Sequence, residues 1–178
     1  MLGETWKDQY KRLQRQYELV KMAADPSVPH NELVHAEEYA RDIYYHFCCD
    51  ALHLRDWIKK SRLADKTKAD LALLLTTNSS RRGTSLALSV CADIANGSKH
   101  LKLTQESYIT GKKRGHAKVI AHERASRLPL KLPFRLGGGN YFTIDAGRGT
   151  HLDGLDVANN AIADWKAWLK SHRMRLPT

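Results

Sequence analysis

The chain has 178 residues, 42% of them hydrophobic and 27% charged, a composition that fits one folded domain and excludes wholesale disorder. Lys and Arg number 29 against 19 Asp and Glu, a formal charge of +10, which favours anionic partners. The longest apolar run, Leu71–Leu75, is far short of the roughly 18 residues of a membrane span. No apolar export segment opens the sequence, and the three cysteines (Cys48, Cys49 and Cys91) have neither disulfide nor zinc-knuckle spacing, so a cytoplasmic protein away from membranes is expected.

In chain order, Trp6, Tyr10, Leu13, Tyr17 and Val20 recur at helical spacing and predict an amphipathic first helix. Asp25-Pro26-Ser27-Val28-Pro29 ends it, because proline cannot continue the hydrogen-bond ladder. Asn31 is the expected N-cap of a second helix of about 30 residues, or 45 Å. Its apolar stripe is Ala36, Tyr39 or Ala40, Ile43 or Tyr44, Phe47, Ala51, Leu54 and Ile58. Thr67 with Asp70 reads as a capping box opening a short third helix through Leu71, Leu74 and Leu75. Thr84 or Ser85 caps a fourth helix carrying Leu86, Val90, Cys91 and Ile94, which Gly97 is expected to terminate in a left-handed conformation.

Past His100 the pattern changes. Leu101–Thr104, Ser107–Thr110, Lys118–Ala121 and Tyr141–Ile144 read as short strands, and Gly111–Gly115 reads as a hairpin loop. A terminal helix begins at Asp153 or Asp156, with an apolar stripe of Leu155, Ala158, Ile162, Trp165 and Leu169 and Trp168 beside it. The expected fold is therefore mainly α and a single domain over 1–178. It comprises a four-helix bundle (1–100), a small basic strand-and-loop insert (101–150) and a C-terminal helix (153–173) packed back on the bundle.

Charge is unevenly spread. Residues 1–98 carry a net +1 and residues 136–178 another +1, whereas 99–135 carry +8. Such a local surplus attracts polyanions, since each neutralised phosphate releases condensed counterions. Lys102, Lys112, Lys113, Arg114, Lys118, Arg124 and Arg127 are the expected nucleic-acid contacts, with RNA favoured over DNA because no helix carries the charge as a groove reader would. The alternative is a non-catalytic interaction module whose basic insert binds an acidic protein.

Two segments bear on catalysis. Arg41-Asp42-Ile43-Tyr44-Tyr45-His46 places an arginine five residues before a histidine on the second helix. This resembles the R-x4-H signature of the HEPN superfamily of small helical bundles, over residues 1–100 at most, although that signature usually lies on the last helix of the bundle. At the end of the fourth helix, Ala95-Asn96-Gly97-Ser98-Lys99-His100 keeps the histidine spacing with alanine in the arginine's place. The resemblance implies a homodimer, no cofactor and metal-independent RNA cleavage of the kind found in defence or toxin–antitoxin systems. On that reading His46 or His100 is the acid/base, Arg41 or Lys99 the cation, and Asn96 the polar neighbour. The run from Asn96 to Leu103 is also similar to one in uncharacterised bacterial helical proteins that carry a segment like His53-Leu54-Arg55-Asp56-Trp57. A plain helix end at Gly97, with Lys99 and His100 facing the negative end of the dipole, accounts for the same residues.

Other chemistry is weaker. His46, Asp50 and His53 fall on one helix face at metal-ligand spacing, with His100 as a fourth ligand from elsewhere. No metal site is expected from them, since no zinc motif accompanies the triple. His35-Ala36-Glu37 lacks the P-C-x-x-C of zinc deaminases. Gly137–Asn140 lacks the Lys-Ser/Thr of a phosphate loop and reads as a flexible turn between strands. Gly83-Thr84-Ser85-Leu86-Ala87 is not a nucleophile elbow, and Ser85 is better read as a helix cap.

Overall fold

Residues 3–25, 27, 37–75, 84–99, 106–113, 116–124, 139–147 and 149–177 are described in the computed structural model. They form α1 (Trp6–Ala24), α2 (Glu37–Lys60), α3 (Asp65–Leu73), α4 (Leu86–Lys99), β1 (Lys118–Arg124), β2 (Asn140–Asp145), β3 (His151–Asp153) and α5 (Gly154–Ser171). The fold is mainly α, with a small antiparallel sheet in the order β1-β2-β3 and a C-terminal helix packed on the bundle. No helix among the described residues is long and apolar enough to cross a membrane.

The predicted stripes make the core. Tyr10, Leu13, Tyr44, Phe47, Leu54, Ile58 and Trp165 are fully buried, and the Trp165 indole N–H donates to the Ala51 carbonyl at 3.2 Å. Removing such apolar surface from water is the main stabilising term. Cys48 and Cys91 are buried thiols and Cys49 is half-buried, all three free. Of the apolar residues named for the fourth helix, Leu86 is exposed, while Val90, Cys91 and Ile94 are buried.

Caps set the helix starts. Thr5 and Asp8 form a reciprocal capping box on α1, Ser85 Oγ accepts from the Leu88 N–H at 3.0 Å, and Asp153 caps α5. Two local expectations are corrected. The third helix starts at Asp65 after Ala64, without a side-chain cap, and Asp70 instead meets His172 at 3.3 Å. Gly97 does not end α4, which continues to Lys99, because the helical turns survive a glycine that costs only about 1 kcal/mol. Asn31, His35, Leu101–Thr104 and Gly137 and Gly138 lie outside the described residues.

Helix direction places the sites. Gln9 meets Asp50 and Tyr17 meets Phe47, so α1 runs antiparallel to α2. Gly154 abuts Tyr44, and Trp165 bonds to Ala51, so α5 runs the same way as α2. The ends of α2 and α5 and the start of α1 therefore share one end of the bundle.

The insert is tied down by single polar residues. Ser107–Thr110 is a turn instead of a strand. Asp93 of α4, with no exposed surface, draws that segment in by accepting from Ser107 Oγ (2.5 Å), Tyr108 N–H (2.7 Å) and Ala117 N–H (3.1 Å). Gly111 takes a φ of 66° as the turn closes with the Ser107 N–H donating to the Lys112 carbonyl at 2.9 Å, which a glycine does without strain. Lys118–Ala121 and Tyr141–Ile144 are strands as predicted; β3 carried no sequence signal. Asn140 donates to the Ala23 carbonyl and bonds His122, whose ring stacks on Phe142, itself stacked on Tyr44. A Cβ at Gly139 would come within 2.1 Å of the Ala24 carbonyl oxygen, so that glycine serves close approach to α1.

Candidate functional site

A polar groove of about 590 Å³ opens where α1, the middle of α2 and the end of α4 meet. α1 contributes Arg12 and Gln16, and α4 contributes Ser98. From α2 come Asp42, Tyr45, His46, Cys49, Asp50 and His53. His46 and His53 stand two turns apart on nearly one face, since seven residues turn the helix by about 700°. Ser98 Oγ lies 3.8 Å from Cys49 Sγ, which brings the last turn of α4 onto the α2 wall.

Arg12 is held in place through a relay. The buried Asp50 carboxylate accepts from Gln9 Nε2 at 3.0 Å, and Gln9 Oε1 in turn accepts from Arg12 Nη1 at 3.1 Å. Glu4 approaches the same guanidinium at 3.6 Å. The groove thus contains a fixed planar cation beside two imidazoles, a phenol and a hydroxyl. The Gln16 amide oxygen, shielded from solvent, has no hydrogen-bond partner among the described residues and would accept from a ligand hydroxyl or amine.

Of the residues singled out from the sequence, His46 lines this groove. Arg41 is exposed on α2 and does not, for five residues rotate a helix by about 140°. Asn96 is half-buried on α4 and is not part of the wall, and the alanine before it is fully buried. Lys99 is the last residue of α4, while His100 lies outside the described residues. His46, Asp50 and His53 share the groove, yet no group of three His, Cys, Asp or Glu among the described residues could hold a metal ion. Asp50 is engaged by Gln9.

In the insert, Lys112, Lys113 and Lys118 are exposed, and Arg124 closes β1. Lys102, Arg114 and Arg127 lie outside the described residues. A second cationic feature escaped the sequence analysis. At the end of α5, Lys166, Lys170, Arg173 and Arg175 line a groove of about 450 Å³ with no carboxylate among its lining residues. Four of the five cations of 136–178 gather there, while the four aspartates of that segment lie elsewhere, so the segment's net charge hid them. Arg173 occupies a left-handed backbone position (φ 53°) that glycine usually takes after a helix. The Met174 N–H reaches back to the Leu169 carbonyl at 2.9 Å to close the motif.

Comparison with protein families, with curated proteins and with solved structures returns no match for this chain.

Proposed function

We propose that the protein binds single-stranded nucleic acid, RNA in preference to DNA, and cleaves RNA in the α1–α2–α4 groove. The observation that carries this reading is the sharing of one groove by the positioned Arg12 guanidinium, His46 and His53. Support for the binding half comes from the carboxylate-free groove at the end of α5 and the exposed lysines of the insert.

In this reading the ribose 2′-hydroxyl attacks the adjacent phosphorus, and a neutral histidine takes its proton. The P–O5′ bond breaks, and the leaving oxygen takes a proton from the other histidine in its charged form. The products are a 2′,3′-cyclic phosphate and a 5′-hydroxyl. His46 and His53 serve as this acid/base pair, histidine being the side chain whose charge changes between about pH 5 and 8. Arg12 offsets the charge that builds on the phosphoryl oxygens, as a fork of donors suited to phosphate. Arg12 thereby takes the place the family resemblance gave to Arg41.

The test is cleavage of end-labelled single-stranded RNA in EDTA by the wild type and by His46→Ala, His53→Ala and Arg12→Ala. Cleavage should follow a bell-shaped pH profile and fall at least about a hundredfold in His46→Ala, with RNA retention preserved. Cleavage that survives His46→Ala, or no cleavage anywhere between about pH 5 and 8, overturns the catalytic reading.

A further inference from the structure

The structure assigns a second ligand site to the end of the bundle where α1 starts and α2 finishes: we propose that it stacks a nucleobase of single-stranded RNA. Trp6 and Trp57 line one groove there, of about 710 Å³, within the usual range for small-molecule sites. Lys7, Lys60 and Arg62 line the same groove, and Glu4 is the single carboxylate among the lining residues. None of these three cations has an ion-pair partner among the described residues.

The two tryptophan pairs of the chain do different jobs. Trp165 and Trp168 are buried and pack edge to face in the core. Trp6 and Trp57 are half-buried and face the groove. Indole faces offer a base sequence-tolerant stacking, and the surrounding cations meet the phosphates on either side of it. An acidic peptide would meet the cations with its carboxylates but needs separate apolar side chains to cover the indoles, whereas one nucleotide carries a stacking face and a phosphate together. Charge and aromatic surface together therefore favour a base with its flanking phosphates. The inference takes its ligand class from the proposed RNA reading, but it rests on different residues and a different readout.

Intrinsic fluorescence tests it directly, because quenching by an added ligand reports on the accessible Trp6 and Trp57 and not on the buried pair. The full chain is titrated with a short oligoriboadenylate and with an abasic ribose–phosphate oligomer of equal charge. The adenylate should quench and bind at least about tenfold more tightly than the abasic oligomer, and Trp57→Leu should remove about the same factor. Trp57→Phe, which keeps a stacking ring, should recover most of the affinity, and thermal melts confirm that both variants fold. Equal affinity for the two oligomers, or unchanged adenylate binding in Trp57→Leu, overturns the site. If labelled RNA is retained without quenching, this inference falls while the RNA reading stands. If quenching occurs without cleavage, the catalytic reading falls while the site stands.

Discussion

In the bundle, Phe47 packs beside Tyr17 of α1 and Tyr44 of its own helix, and dozens of weak apolar contacts share the work of holding it. In the insert, Asp93 and Asn140 each hold a segment far away in sequence through two or three hydrogen bonds. The bundle is held by apolar packing between helices, while the insert adds to its strand pairing and buried Phe142 and Ile144 a few polar ties that single substitutions can remove. Loss of one polar tie is therefore expected to loosen the insert before the helices, and the insert carries the exposed Lys112, Lys113 and Lys118.

Two substitutions separate these regimes, and they carry the largest expected effects. Phe47→Ala should cost about 3–5 kcal/mol and lower the melting of the whole protein. Asp93→Ala leaves the Ser107 hydroxyl and the Tyr108 and Ala117 N–H groups without their acceptor, at about 3 kcal/mol. Hydrogen exchange should then lose protection in the insert while α1 and α2 keep theirs. Equal loss in both regions would break the comparison.

Alkaline pH sharpens it from the bundle side. Burial pushes the Cys48 thiol well above its ordinary value, with Cys91 adding to the effect, and burial does the same to the Tyr44 phenol. Both groups are neutral when protonated, so the stability linked to them is complete below their unfolded values. It is lost as pH rises toward the raised folded ones. Melting temperature should hold up to the ordinary thiol value of 9.0 and fall above it. Cys48→Ala should flatten the first part of that fall. A melting temperature constant from pH 8 to 11 would contradict the burial of both groups.

The smallest expected effect is a gain. Arg173→Gly relieves a left-handed backbone position and should stabilise the protein by about 0.5–1 kcal/mol. The same change removes one of four cations from the α5 groove and should weaken RNA retention. Stabilisation without weaker retention would detach that groove from binding.

The bundle was legible because helical periodicity repeats over many turns: the stripes of α1, α2 and α5 predicted Tyr10, Leu13, Phe47 and Trp165 as core. The insert was not, because its anchors are isolated residues whose partners lie far off in sequence. Asp93 lies two residues before the Ala95–His100 segment read for catalysis and is a structural tie. Gly139 was read as part of a flexible turn and is a close-approach residue. At the site, His46 was legible from its spacing to Arg41, but the cation that shares its groove is Arg12 of another helix, and only the antiparallel pairing of α1 and α2 brings the two together. A distance along one helix cannot report what another helix supplies. The cations at the end of α5 vanished in a segment average, although their spacing over 166–175 was a visible signal.

The most direct test of the account is the salt dependence of single-stranded RNA binding, measured by anisotropy of a labelled oligomer between about 50 and 200 mM salt. The logarithm of affinity should fall linearly with the logarithm of salt, and Lys170→Gln with Arg175→Gln should reduce the slope by about 1.4. Absence of binding at the lowest salt, or binding indifferent to salt, would contradict the assignment of this fold to nucleic acid.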